Sequence, residues 1–209
     1  AAAVLIVSLG CEGTDHERMV KEISATGKHV EIIHIQELGG VSKAIQVGTD
    51  IARQLVIEVS GLQRQPVDVS NIVMSIKCGG SDTTSGMASN CVIGYVADKL
   101  VDLGATVIFG ETTEFIGGEH LLARRGVNKE VGDKIFEIVN NMETRAKSLG
   151  CDMRKGQPTP GNIEGGLSSI EEKSLGAIMK SGTKPIQGVL DYTERVTNQK
   201  GLWIKDTPG

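Results

Sequence analysis

Cys78-Gly79-Gly80-Ser81-Asp82-Thr83-Thr84-Ser85-Gly86 follows the apolar run Ile72-Val73-Met74-Ser75-Ile76. The run reads as a buried strand, and a helix is expected after the loop, from about Ala88 to Leu103. A strand that empties into glycines, hydroxyls and one carboxylate before a helix builds a site for a polar ligand. Glycine lets the backbone turn tightly and approach a ligand. The helix start offers unpaired N–H groups to an anion.

The strand–loop–helix pattern recurs on both sides of this stretch. Val4 to Leu9 is a continuous apolar run ending in Gly10-Cys11-Glu12-Gly13, as in a buried parallel strand. Thr14 or Asp15 caps a helix running to about Thr26, and Gly27 closes it. Val30 to Ile35 is a second strand. A long helix from about Val41 to Ser60 carries Ala44, Ile45, Val47, Ile51, Leu55, Ile57 and Val59 on its apolar face. Ala105 to Gly110 is a further strand and ends in Glu111-Thr112-Thr113-Glu114. A short helix is expected around Glu119 to Ala123, a long one from Lys129 to Leu149, and another from Ser168 or Ser169 to about Lys180. Cys151 to Gly166 reads as irregular, with short late strands at Val189-Leu190 and Leu202-Trp203-Ile204.

This alternation predicts an α/β fold: one domain over residues 1–209 with a three-layer, mostly parallel, Rossmann-like sheet and helices on both faces. Ligands of such sheets bind beyond the carboxyl ends of the strands. The loops at Gly10-Cys11-Glu12, at Cys78 to Gly86 and at Glu111 to Glu114 are therefore expected to meet on one rim.

Composition narrows the function. The chain of 209 residues has a net charge of −4 and no basic stripe, which argues against nucleic acid. No apolar run of about 18 residues is present, so no membrane span is expected. No signal-peptide pattern opens the chain, and a cytoplasmic location is the expectation. Cys11, Cys78, Cys91 and Cys151 are widely spaced and read as free thiols. The chain starts without Met and stops at Thr207-Pro208-Gly209. It is expected to be the central region of a longer polypeptide, with N-terminal and C-terminal domains of the same enzyme as partners and a homo-oligomer as a further option.

An ordered series of motifs resembles the large catalytic region of the altronate/galactarate dehydratase family. The motifs are Ser8-Leu9-Gly10-Cys11-Glu12, Cys78-Gly79-Gly80-Ser81-Asp82 with Ser85-Gly86 and Ala88-Ser89-Asn90, and Glu111-Thr112-Thr113-Glu114. Thr159-Pro160-Gly161-Asn162, Gly165-Gly166-Leu167, Glu172-Lys173-Ser174-Leu175-Gly176, Lys180 to Ile186 and Asp206-Thr207-Pro208-Gly209 complete the series. Cys91 departs from it, standing where the family pattern carries proline. The resemblance implies dehydration of a sugar acid such as altronate or galactarate to a 2-keto-3-deoxy acid. It also implies a divalent metal, ferrous iron first and manganese or magnesium as alternatives. A related member, sulfolactate sulfo-lyase, expels sulfite instead of water.

That chemistry removes a proton α to a carboxylate and then a β leaving group. It calls for a base, an acid and cationic stabilisation of the enediolate. Asp82, Glu111, Glu114, His120 and Lys173 are the candidate catalytic groups. Gly79, Gly80, Ser81, Ser85, Asn90 and Asn162 are the candidate contacts to a small hydroxy-acid substrate. Cys11, Glu12 and Cys78 are the candidate metal ligands. Each has a structural alternative. Asp82 suits an Asx-turn or helix cap, the thiols suit small buried apolar positions, and Glu111 and Glu114 suit an ion pair with Arg124 or Arg125. A non-catalytic anion-binding or assembly module of a larger enzyme is the alternative from another class. Neither the phosphate-loop nor the dinucleotide glycine pattern occurs.

Overall fold

A computed structural model describes residues 1–197 and 199–208. Gly209, which closes the Asp206-Thr207-Pro208-Gly209 motif, lies outside the described residues. The chain is α/β, as the alternation of elements predicts. It divides into two compact units, residues 1–66 and 67–209, where the sequence reading expects one domain and one sheet. The reason is local pairing: among the described residues, the first two strands hydrogen-bond only to each other.

In the first unit, β1 (Ala3–Ser8) and β2 (His29–His34) pair in parallel, from Ala3 opposite His29 to Ser8 opposite His34. Parallel neighbours need a crossover, and α1 (His16–Ser24) supplies it. The Asp15 carboxylate caps α1 by accepting the Arg18 N–H at 2.9 Å. The long α2 (Val41–Val59) buries Ala44, Gly48 and Leu55, and β2 buries Ile33.

The second unit holds four parallel strands in the spatial order β3 (Val73–Ile76), β4 (Thr106–Phe109), β6 (Gly201–Lys205), β5 (Ile186–Leu190). All four residues of β4 are buried. Loss of the in/out alternation means that both sheet faces are covered. Side chains of α3 (Asn90–Asp102), α5 (Lys129–Ser148) and α8 (Ile170–Ile178) join this core around Val107, Phe109, Leu202 and Ile204. Phe109 and Phe115 meet edge to face at 5.3 Å, an arrangement worth about 0.5–1.5 kcal/mol beyond burial. With so few aromatics, isoleucine and leucine fill most of the remaining volume.

Two local departures matter for the site. The helix expected from Ala88 starts earlier, as a wide π-helical turn over Ser85–Ser89 that runs into α3. Such turns concentrate at functional positions. The stretch from Cys151 to Gly166, expected to be irregular, contains α6 (Met153–Gly156) and α7 (Pro160–Glu164). Short side-chain caps explain both helices: Asp152 caps α6, and Thr159 with Asn162 forms a reciprocal capping box ahead of Pro160 on α7.

Candidate active site

The residues after β3 turn back on themselves around one carboxylate. Asp82 Oδ1 accepts from Thr84 Oγ1 at 2.7 Å, from the Ser85 N–H at 2.7 Å and from Ser85 Oγ at 3.0 Å. These bonds, the Thr84 hydroxyl first among them, hold its pKa below the ordinary aspartate value. Asp82 therefore caps the wide turn. The loop is braced from outside by Gly165-Gly166, with the Thr83 N–H donating to the Gly165 carbonyl at 3.0 Å. Gly166 has φ +95°, and a Cβ there would lie 2.5 Å from Thr83 Oγ1. Only glycine fits that close approach.

A cleft of about 380 Å³ opens beside this loop, and Cys78, Ser81, Asp82, Ser85, Asn90 and Lys173 line it. These six side chains come from the loop, from the start of α3 and from α8. Lys173 Nζ donates to Gln157 Oε1 at 2.8 Å and to Asn162 Oδ1 at 3.1 Å. Both partners are neutral amides, so the ammonium is held in place with its charge left over. Asn162 is itself fixed, since its Nδ2 donates to the Ser81 carbonyl at 3.0 Å. Asn90 Nδ2 donates to the Gly176 carbonyl at 2.9 Å and ties α3 to α8.

Behind Cys78 stands a charged cluster. The Cys78 N–H donates to Glu111 Oε2 at 2.8 Å, and Lys77 donates to Glu111 Oε1. Lys180 Nζ donates at 2.7 Å to Glu111 Oε2 and at 2.7 Å to Glu114 Oε2. Glu111 is 3% exposed and Lys180 1%. Burial alone would push the Glu111 pKa up, but the bonds from Lys180 and Lys77 outweigh it and hold the carboxyl below its ordinary value. Burial would likewise pull Lys180 down. The charge of Glu114 and the bonds to both carboxylates prevail and leave its pKa raised. For Cys78 the balance runs the other way: burial, then the neighbouring Glu114, pushes its thiol pKa up, and the contacts to Ser81 and Gly80 only partly offset this. The thiol is therefore protonated at neutral pH, beside two carboxylates matched by two ammonium groups.

Glu111 has φ +71°, left-handed for a side chain with a Cβ. Its N–H donates to Thr207 Oγ1 at 2.7 Å, and the next N–H, of Thr112, donates to the Thr207 carbonyl at 2.8 Å. Thr112 Oγ1 donates to Asp206 Oδ1 at 2.7 Å. Asp206 and Thr207 thus grip the turn that aims Glu111 back toward Cys78. Such a backbone costs about 1–3 kcal/mol and persists where the surroundings over-determine it.

Ligand atoms of Cys78, Glu111 and Glu114 all lie within 4.8 Å of one another, the one group of three or more such side chains among the described residues. Gly79 and Gly80 lie in the loop but do not line the cleft. His120, on α4 (Glu119–Ala123), is exposed and lines a separate hollow with Arg124, Lys129 and Asp133. Cys11 and Glu12 belong to the first unit, where the Glu12 carboxylate folds onto the N–H groups of Leu9, Gly10 and Cys11. The expected ion pairs with Arg124 or Arg125 are replaced by those with Lys77 and Lys180. The Arg125 guanidinium is instead spent on Ser181 and on the Lys184 carbonyl.

Lys77 and Lys180 were not among the residues that the sequence reading selected. For Lys180 a signal existed: it closely follows Ala177-Ile178, which are buried at the end of a helix. A lysine there needs a carboxylate partner.

Two family profiles match the chain. The second-domain profile of D-galactarate dehydratase/altronate hydrolase covers residues 1–60, and the C-terminal profile of D-galactarate/altronate dehydratase covers residues 69–209. The two matches fall one on each compact unit. The (2R)-sulfolactate sulfo-lyase subunit beta of Chromohalobacter salexigens is 44% identical over 210 residues, covering 99% of this chain and 52% of that protein. Galactarate dehydratase (L-threo-forming) of Escherichia coli is 35% identical over 211 residues, with 98% and 40% covered. Altronate dehydratase of Bacillus subtilis is 32% identical over 210 residues, with 100% and 41% covered. The chain spans about half the length of these relatives or less.

Proposed function

Given that the chain belongs to the D-galactarate/altronate dehydratase family, we propose that it carries the elimination site of a lyase acting on a small 2-hydroxy carboxylate. The observation that carries this reading is the double position of Cys78. It lines the cleft and also stands within 4.8 Å of Glu111 and Glu114. Substrate cleft and acid–base cluster are thereby contiguous.

Lys173 binds the substrate carboxylate, because among the described residues its ammonium is held by two neutral amides. Ser81, Ser85 and Asn90 face the substrate hydroxyls. Glu114 is the base: Glu111 has both oxygens engaged by Lys77, Lys180 and the Cys78 N–H, whereas Glu114 has one bond from Lys180 and its other neighbour is the Cys78 thiol on the cleft wall. The C2–H bond breaks and its electrons form the C2–C3 double bond. The C3 substituent departs with its own electron pair, and the resulting enol tautomerises to a 2-keto acid. Lys180, a buried ammonium 2.7 Å from Glu114, lies where it can return a proton to a departing hydroxide.

The thiol and two carboxylates are suited in kind to a borderline divalent ion such as ferrous iron or manganese. Cys78, Glu111 and Glu114 would hold it, in competition with the Lys180 ammonium. When bound, the metal supplies Lewis-acid stabilisation of the enediolate. Equilibrium dialysis with Mn²⁺ tests this, with binding in the parent protein and its loss in Cys78→Ala as the expected pair of results.

Loss of water, as the names of the altronate and galactarate dehydratases state for those proteins, is the first reading. Loss of sulfite is the second, favoured by the 44% identity to the sulfo-lyase subunit. Incubating the polypeptide that carries this chain with galactarate, altronate and (2R)-sulfolactate, with ferrous iron present, separates the two. A 2-keto-3-deoxy acid marks the first and sulfite the second. Turnover of none of the three acids would remove the lyase assignment.

A further inference from the structure

We propose that the Ser8–Cys11 loop of the first unit is a binding site for the carboxylate of a small organic acid, occupied in the resting chain by the protein's own Glu12. This goes beyond the elimination site, which lies wholly in the second unit.

The loop follows β1, at the end of a parallel strand where α/β units take their ligands. Three successive N–H groups point at one place. Leu9 donates to Glu12 Oε1 at 2.9 Å, while Gly10 and Cys11 donate to Oε2 at 2.7 and 3.1 Å. His16 Nε2 adds a contact to Oε1 at 3.2 Å. Bonds divided between two oxygens suit a planar, bidentate carboxylate.

A second observation points to a ligand. Ser8 is 1% exposed, and its Oγ has no hydrogen-bond partner of normal geometry. It nevertheless lies near enough to Glu12 to help depress that acid. A buried hydroxyl left short of a full bond is uncommon in folded proteins, and here an acceptor seated slightly deeper than Glu12 would complete it. Glu12 itself is able to leave, since its side chain is 33% exposed. His16, which touches Glu12, also lines an open hollow of about 570 Å³, together with Thr14, Asp15, Glu17, Ile32 and His34. The hollow has room for the remainder of an organic acid.

The loop N–H groups report occupancy directly. The full chain is labelled with ¹⁵N and titrated with acetate, and separately with inorganic phosphate at matched ionic strength. In Glu12→Ala, the Leu9, Gly10 and Cys11 amides are expected to shift saturably with acetate, about tenfold or more tighter than in the parent protein. The increase arises because the internal competitor has been removed. Glu12→Asp, one methylene shorter, weakens the internal competitor and provides a second variant. Flat titrations in whichever variant keeps a dispersed first-unit spectrum overturn the proposal. Equal acetate affinity in parent and variants, or phosphate binding tighter than acetate, does the same. If neither variant keeps that spectrum, Glu12 is a structural strut and the proposal fails. None of these readouts involves turnover, so they stand apart from the lyase assignment.

Discussion

Lys180 and Glu111, 69 residues apart in the chain, meet as a buried ion pair at 2.7 Å. Neither side chain is tolerable at its depth alone, because an unpaired buried charge is expensive. The pair joins the 3-10 turn that follows α8 to the turn after β4, and through the Cys78 N–H it also fixes the end of β3.

Replacing Lys180 by Met is therefore expected to cost far more than a surface charge deletion. Two carboxylates lose their shared cation, and breaking a buried pair from one side typically costs about 3–5 kcal/mol. Urea unfolding of the second unit measures it. A loss below about 1 kcal/mol would show that the network is solvated and dispensable.

The same network sets a pH window. Glu111 is depressed below 4.5, so its contribution is complete above that value and disappears as pH falls through the folded-state pKa. Lys180 is raised above 10.5, so its contribution is complete below that value and disappears as pH rises through the folded-state pKa. Stability of the second unit should form a plateau between these limits. In Glu111→Gln the acid-side decline should flatten. Denaturant midpoints taken from pH 3 to 11 check both slopes.

Lys173→Met should spare folding and weaken ligand binding. Its bonds to Gln157 and Asn162 are local, whereas a lost charge-assisted contact to a substrate carboxylate costs about 1.5–3 kcal/mol, roughly ten- to a hundredfold in affinity. Calorimetric titration with galactarate and with (2R)-sulfolactate, next to a thermal melt, separates the two effects. A lowered melting temperature with unchanged affinity would make Lys173 a structural residue.

Gly166→Ala combines a left-handed backbone with a Cβ placed 2.5 Å from Thr83 Oγ1. Overpacking of this sort costs about 1–3 kcal/mol. Adding Thr83→Ala should recover the steric part and leave the backbone part, about 1–2 kcal/mol. If the double variant is no more stable than Gly166→Ala alone, the contact with Thr83 is not the source of the cost.

Element types were legible because periodicity and caps are local. Val107 and Phe109 announce a strand by their own pattern, and Asp15 and Ser169 accept the first N–H groups of their helices as their residue types suggest. The division into two units was not legible, because strand partnership depends on residues far apart in the chain. In the site, the Cys78 loop, Asn90 and Lys173 were legible as a polar cluster bounded by glycines. The partners of Glu111 were not: arginines lay near in sequence, but folding brings Lys180 and Lys77 there instead. Asp82 illustrates a different difficulty. One carboxylate satisfies the requirements of a ligand and of a cap equally well, and here Oδ1 serves as the cap.

The wide turn at Ser85–Ser89 also bears on how this chain tolerates changes of length. A π-helical turn holds one residue more than an α-helical turn, and the coil beyond it keeps its phase. Deleting a single residue there should let ordinary helix run from Thr84 onward, with Asn90 still directed at Gly176. The wall of hydroxyls would shorten, and the close approach of Gly86 to the Gly176 backbone is the contact that such a deletion would have to rebuild.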